Sequence, residues 1–226
     1  MGAEHGERSA PRIVEHRVGG PVPPPPDGTV AVLLHGRGSD EQDLQGLARL
    51  LPRDWTLVTP RAPHAGAPWG YGPGWAWYRY LAEDRVDRAT LEDSLGALGQ
   101  FLDGLPDLLG GPVERLVLGG FSQGGTTSLA YALGPGRDRV AAVLNFSGFL
   151  ADGVALPPPA EAPPILWGHG TGDPAIPYAL ALRARARLRE AGIEVRASDH
   201  PIGHGIVPAE IEAAVALVEG LDRAGA

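Results

Sequence analysis

Ser122 stands in Gly120-Phe121-Ser122-Gln123-Gly124, a G-x-S-x-G pattern whose glycines let neighbouring backbone pass a serine without a Cβ clash. A chain with 33 glycines and seven serines produces this pattern by chance about once in seven such chains, so the pattern alone decides nothing. Its setting says more. The apolar run Leu116 to Leu118 leads straight into it, and Thr126 to Leu133 leaves it with helical character and stops at Gly134-Pro135. A serine at such a strand-to-helix turn can attack an acyl carbon, given a base to take its proton.

Histidine is the side chain whose ordinary pKa lies nearest neutrality, and the chain has seven. His5 and His16 fall in the N-terminal segment, His35 and His169 precede glycines at strand ends, and His64 opens an aromatic-rich stretch. His200 and His204 follow the last expected strand. His204 is the candidate base, because Gly203-His204-Gly205 makes a sharply turned loop just before a helix. His200 is its competitor, with a structural role at a strand end as the plainer reading.

The imidazole needs a carboxylate to orient it and to stabilise its charged form. Asp173, in His169-Gly170-Thr171-Gly172-Asp173-Pro174, follows a strand and lies between Ser122 and His204, in the chain order serine, acid, histidine. An Asp-Pro turn or a helix cap is its bland alternative. Asp199 is the other carboxylate near the candidate base. An oxyanion would need two backbone donors: the N–H of Gln123, directly after the serine, and that of Arg37 in His35-Gly36-Arg37-Gly38-Ser39-Asp40. His35 is read as holding that loop by hydrogen bonding. The Arg37 guanidinium is read as facing solvent, with an acidic substrate group as the sharper alternative.

The stretch His64 to Tyr80 is long, rich in glycine and proline, and carries Trp69, Trp75, Trp77 and Tyr78. Long irregular segments in compact domains are usually functional, and these four rings are candidates for a substrate-pocket wall. A small satellite core is the competing reading.

Positioning these groups takes a framework of alternating strands and helices. Thr29 to Leu34, apolar throughout, reads as a strand buried on both faces, and Asp40 offers an N-cap for a helix through Leu51. Strands are expected at Trp55 to Thr59, Arg115 to Leu118, Val140 to Phe146, Pro164 to Trp167 and Glu194 to Ser198. Helices are expected over Leu91 to Leu105, Thr126 to Leu133, Tyr178 to Ala191 and Pro208 to Leu221. This alternation implies an α/β fold with a mostly parallel, doubly wound sheet flanked by helices. Residues 1–28 are expected as a Pro-rich segment packing on or leading into the fold, and 29–226 as one domain.

At 226 residues, 43% hydrophobic and 20% charged, the chain has the balance of a packed globular protein. Its net charge of −8 argues against nucleic acid and anionic membranes. Arg183, Arg185, Arg187 and Arg189 are read as a solvated helix face. Cysteine is absent, and all 19 basic residues are arginine, which excludes thiolate nucleophiles, thiolate metal sites and lysine Schiff bases. No cofactor or metal is expected. Residues Met1 to Ala10 are polar where a secretory signal would be apolar, and no stretch is long and apolar enough for a membrane span, so a cytoplasmic location is expected. The expected partner is a small-molecule ester; a homodimer is left open.

The segments Leu34-His35-Gly36-Arg37-Gly38, Gly120-Phe121-Ser122-Gln123-Gly124-Gly125, His169-Gly170-Thr171-Gly172-Asp173-Pro174 and Gly203-His204-Gly205 together resemble the bacterial phospholipase/carboxylesterase family. That group of the α/β-hydrolase superfamily is related to the acyl-protein thioesterases. The Phe-Ser-Gln-Gly-Gly form is the more specific part of the likeness. The resemblance implies an α/β-hydrolase fold, a Ser122-Asp173-His204 triad, backbone donors at Arg37 and Gln123, and hydrolysis of short- to medium-chain carboxylic esters. Acyl-protein thioesterase and lysophospholipase are the alternatives, peptidase and cofactor-free haloperoxidase lie further off, and a non-catalytic ligand-binding protein is the rival from another class. Two features depart from the pattern: the aromatic richness of Ala65 to Tyr80, and Gly205 where the acyl-protein thioesterases tend to carry an acidic residue.

Overall fold

The strand Thr29–Leu34 is buried at all six positions, and its residues divide by parity. Val30, Val32 and Leu34 join one hydrophobic cluster, Ala31 and Leu33 another, because successive side chains of a strand point to opposite faces. Such a strand needs cover on both sides. The computed structural model describes residues 10–82 and 84–224, so His5 and the polar N-terminal stretch lie outside the described residues.

The strands are β1 (His16–Gly19), β2 (Thr29–Leu34), β3 (Thr56–Pro60), β4 (His64–Ala65), β5 (Trp75–Ala76), β6 (Arg115–Phe121), β7 (Ala142–Phe146), β8 (Ile165–Gly170) and β9 (Val195–His200). The helices are α1 (Arg88–Asp103), α2 (Leu105–Leu109), α3 (Gln123–Ala132), α4 (Tyr178–Glu190) and α5 (Pro208–Ala224). Seven strands form one sheet in the order β1-β3-β2-β6-β7-β8-β9, parallel except for β1, which runs antiparallel to β3. Leu98 and Leu102 of α1, Leu129 of α3 and Leu188 of α4 pack with the even side of β2; Ile211, Leu217 and Val218 of α5 pack with the odd side. Two-sided cover of a parallel sheet is what the strand pattern requires.

Two expectations need correction. Asp40 to Leu51 forms no α-helix: Asp40 caps the N–H of Gln42, but the chain tightens into successive turns and a 3₁₀ helix, Gln45–Leu50. The carbonyl of Glu41, which an α-helix would use, accepts the Thr59 hydroxyl instead, and Gln45 bonds back to the Gln42 carbonyl. The described part of the N-terminal segment packs on the fold, since His16–Gly19 adds an edge strand. The four arginines of α4 do not share one solvated face: at about 100° per residue alternate positions diverge, and Arg185 is buried while Arg183, Arg187 and Arg189 are exposed.

β2, β6, β8 and β9 run in one direction, so the loops carrying Arg37, Ser122, Asp173 and His204 leave the same edge of the sheet. In open parallel sheets that edge is where ligands bind.

Candidate active site

Ser122 links β6 to α3 with φ 54° and ψ −113°, a conformation that side-chain-bearing residues rarely adopt. It is held by its N–H donating to the Phe146 carbonyl at 2.7 Å and by its carbonyl accepting from Thr126 at 3.1 Å. Glycine is obligatory on both sides. A Cβ at Gly120 would lie 2.5 Å from the Leu34 carbonyl oxygen, and one at Gly124 only 2.0 Å from it. The helix starts at Gln123, directly after the serine, three residues earlier than the sequence pattern suggests. Its first N–H groups therefore have no intrahelical acceptor and face the turn.

The loops carrying Asp173 and His204 are joined backbone to backbone. Thr171 donates to the His200 carbonyl at 2.8 Å and Gly172 to the Ile202 carbonyl at 3.0 Å, an approach so close that a Cβ on Gly170 would fall 2.1 Å from the Gly203 oxygen. His204 Nδ1 then donates to Asp173 Oδ2 at 2.6 Å, and Asp173 Oδ1 accepts the N–H groups of Ala175 (2.8 Å) and Ile176 (2.9 Å). Burial works against the Asp173 charge, but the His204 bond and the two amides outweigh it and hold the carboxyl below its ordinary range. Because this carboxylate only accepts, it fixes the proton on His204 Nδ1. The imidazole is packed against the Phe121 ring, with centroids 4.6 Å apart.

Ser122 and His204 line one cavity of about 370 Å³ together with Arg37, Tyr80, Ala82, Ala175 and Ile176. The two competitors lie elsewhere. His200 Nε2 pairs with the Ser198 hydroxyl at 3.0 Å, and Asp199 takes two bonds from Arg185 at 2.7 and 2.8 Å and one from the Tyr178 hydroxyl at 2.7 Å. His35 carries no exposed nitrogen: Nδ1 donates to the Gly36 carbonyl at 2.7 Å while Nε2 accepts from Ala62 at 3.0 Å. Burial dominates that site and lowers the His35 pKa, which suits a neutral ring bracing the Arg37 loop.

Of the four rings considered for the pocket wall, none lines this cavity. Trp77 and Tyr78 are fully buried in the main core, Trp75 lies beneath Arg61, and Trp69 packs on His64 and Tyr71. The aromatic that reaches the cavity is Tyr80, at the end of the same stretch. What anchors the stretch is the Gln123 side chain, which accepts from Trp77 N–H at 2.8 Å and donates to the Tyr78 carbonyl at 2.7 Å. Trp77 Nε1 meanwhile donates to the His35 carbonyl at 3.0 Å. The candidate wall is thus a bracket between the loop carrying Arg37 and α3. No signal in the sequence names a partner 46 residues away.

Residues 23–219 match the phospholipase/carboxylesterase family. The chain belongs to that family. Among curated relatives, acyl-protein thioesterase 1 of Neurospora crassa is 32% identical over 174 residues, 70% of each chain, and that of Cryptococcus neoformans is 30% identical over 169 residues, 68% of this chain and 69% of its own. These relatives are fungal, whereas the motif likeness is to bacterial members. Esterase PE8 superposes with a TM-score of 0.72 at 29% identity, over 93% of this chain and 99% of its own. The Bacillus cereus carboxylesterase gives 0.77 at 22% identity, over 92% and 94%. The architecture is therefore the α/β-hydrolase fold, and membership of the phospholipase/carboxylesterase family puts the chain among hydrolases of ester and thioester bonds. Among the described residues no helix is long and apolar enough to cross a membrane.

Proposed function

We propose that the protein is a serine carboxylesterase acting on short- to medium-chain esters through a Ser122-His204-Asp173 triad. The observation that carries this reading is the 2.6 Å bond from His204 to a buried Asp173 whose other oxygen is saturated by two amides, with the imidazole and Ser122 facing one cavity. As Ser122 Oγ attacks the acyl carbon, His204 Nε2 takes its proton, and the charge on the former carbonyl oxygen is met by the N–H groups of Arg37 and Gln123. Collapse of the tetrahedral adduct breaks the bond to the leaving oxygen, which takes the proton from His204. Water, deprotonated by the same imidazole, then attacks the acyl carbon, and collapse of this second adduct frees the acid as Ser122 Oγ takes the proton back from His204.

Ser122→Ala should lose at least about 10⁴-fold in kcat on p-nitrophenyl butyrate while its circular dichroism and melting curve stay those of the parent. The parent should be labelled by a fluorophosphonate and the variant should not. Undiminished turnover by Ser122→Ala, or a parent that a fluorophosphonate leaves untouched, would sink the reading; the second result is what a ligand-binding protein on this scaffold would give.

The curated relatives favour a second reading, in which the bond cleaved is a thioester, since those proteins are named acyl-protein thioesterases. The same attack applies with a thiolate leaving. Turnover of butyryl thiocholine against butyryl choline, and release of a palmitoyl group from a cysteine peptide, separate the two.

A further inference from the structure

The catalytic cavity holds one group that the proposed mechanism does not use, the guanidinium of Arg37. Its backbone N–H is placed in the oxyanion hole, but its side chain extends over two phenol rings, 4.9 Å from the centroid of Tyr71 and 5.4 Å from that of Tyr80. The platform beneath it is fixed. Tyr80 N–H donates to the Tyr71 hydroxyl at 2.7 Å, the Tyr78 hydroxyl donates to that of Tyr80 at 3.2 Å, and the Tyr80 ring packs on Phe149 at 6.2 Å. With its Cζ held between two rings set 77° apart, the guanidinium spends no N–H on a protein carboxylate among the described residues, and its donors are available to a planar, two-point partner.

The described residues do not supply that partner. Arg61, Arg139, Arg185 and Arg196 each meet a carboxylate within 3 Å, yet among the described residues no carboxylate lies within ion-pairing distance of Arg37. The rest of the described cavity wall is Tyr80, Ala82, Ala175 and Ile176 beside Ser122 and His204, so apart from the imidazolium formed during turnover Arg37 is its one cation. The whole chain carries −8, so its field repels an anion, and a cation beside the serine offsets that repulsion at the cavity itself.

Resting on the hydrolase reading above, we infer that Arg37 selects substrates carrying a carboxylate close to the scissile ester: half-esters of dicarboxylic acids or acyl esters of hydroxy acids. The guanidinium pairs with that carboxylate by two N–H···O bonds while the backbone N–H of the same residue serves the oxyanion.

The test compares kcat/KM on p-nitrophenyl butyrate with p-nitrophenyl hemisuccinate, which places the carboxylate on the acyl side, and on ethyl butyrate with O-butyryl glycolate, which places it on the alcohol side. Each pair is run on the parent, Arg37→Lys and Arg37→Met. Because the backbone of Arg37 belongs to the oxyanion hole, the quantity read is the ratio of anionic to neutral ester within each protein. The parent should prefer one anionic ester by about tenfold, Arg37→Lys should keep part of the preference, and Arg37→Met should lose it. Raising NaCl to about 0.5 M should shrink the parent's preference and leave that of Arg37→Met unchanged. A parent that shows no preference on either pair, or an Arg37→Met protein that keeps it, overturns the inference and leaves the hydrolase standing. A parent that turns over no ester of either charge removes the hydrolase reading, and the inference with it.

Discussion

Asp173 is the residue on which the candidate site turns, because every acceptor position facing the protein is occupied: Oδ1 by two amides, Oδ2 by His204. Asn at this position would present an NH₂ group to one of those donors and favour the other imidazole tautomer, with the proton on Nε2 where the serine proton must arrive. Asp173→Asn should therefore lower kcat on p-nitrophenyl butyrate by about 10³- to 10⁴-fold with KM little changed. Steady-state kinetics checks it, and an unaltered kcat would mean that Asp173 does no more than cap the turn at Ala175 and Ile176. The residue types of this site were legible in the sequence, since proton transfer and acyl attack admit few side chains and the order serine, acid, histidine sets their loops. Loop position and chain order pick Asp173 over Asp199, and the 2.6 Å bond to His204 agrees. What occupies Asp199 is not legible, because nothing in a helix of alternating arginines marks Arg185 as the one side chain that turns inward to hold it.

At the scale of elements, the elbow exists because α3 can approach β2 until backbone touches backbone. Gly124→Ala would drive a methyl group to 2.0 Å from the Leu34 carbonyl, where neither partner is a flexible side chain, and should cost about 3 kcal/mol or more. Gly96 is the control: it sits exposed in α1 with open space where a Cβ would point, so Gly96→Ala should gain about 0.5–1 kcal/mol. Urea melts of the two variants should move in opposite directions, and a Gly124→Ala protein as stable as its parent would refute the close approach. Elements with strong apolar periodicity, β2, α1, α4 and α5, lie within a few residues of where the sequence puts them. Those that failed were decided by tertiary partners: the Asp40 to Leu51 segment gives its Glu41 carbonyl to Thr59, and β1, four half-exposed or exposed residues, exists only because the free edge of β3 accepts it. The aromatic stretch was read as either wall or core, and its burial under Gln123 and His35 could not be foreseen from ring content alone.

Over the whole molecule, two sets of carboxyls pull stability in opposite directions with pH. Glu210, on the first turn of α5, is fully buried; its Oε2 caps the Val207 N–H at 2.9 Å while Oε1, packed over Gly168, has no partner among the described residues. Burial pushes its pKa up to about 7. A carboxyl whose folded pKa exceeds the unfolded one binds a proton on folding, so its contribution is full below about pH 4.5 and is lost as pH rises through 7. Asp173, Asp199 and Glu41 are held low by His204, Arg185 and Arg61 respectively, against the cost of burial, and their contribution is lost at the acid end as pH falls through their folded values. Stability should thus peak between about pH 4 and 5, above the range where the three paired carboxylates are protonated and below the range where Glu210 loses its proton, and decline on either side. Glu210→Gln keeps an oxygen for the Val207 N–H but cannot ionise, so it should flatten the upper limb alone: at pH 8.5 its melting temperature should exceed the parent's by several degrees, a displacement worth on the order of 3 kcal/mol, and at pH 5 the advantage should vanish. Melting curves of both proteins from pH 4 to 9 decide it. Parallel profiles would show that Glu210 carries no proton near neutrality, whereas an acid limb that also flattened would assign the low-pH loss to Glu210 in place of the three paired carboxylates.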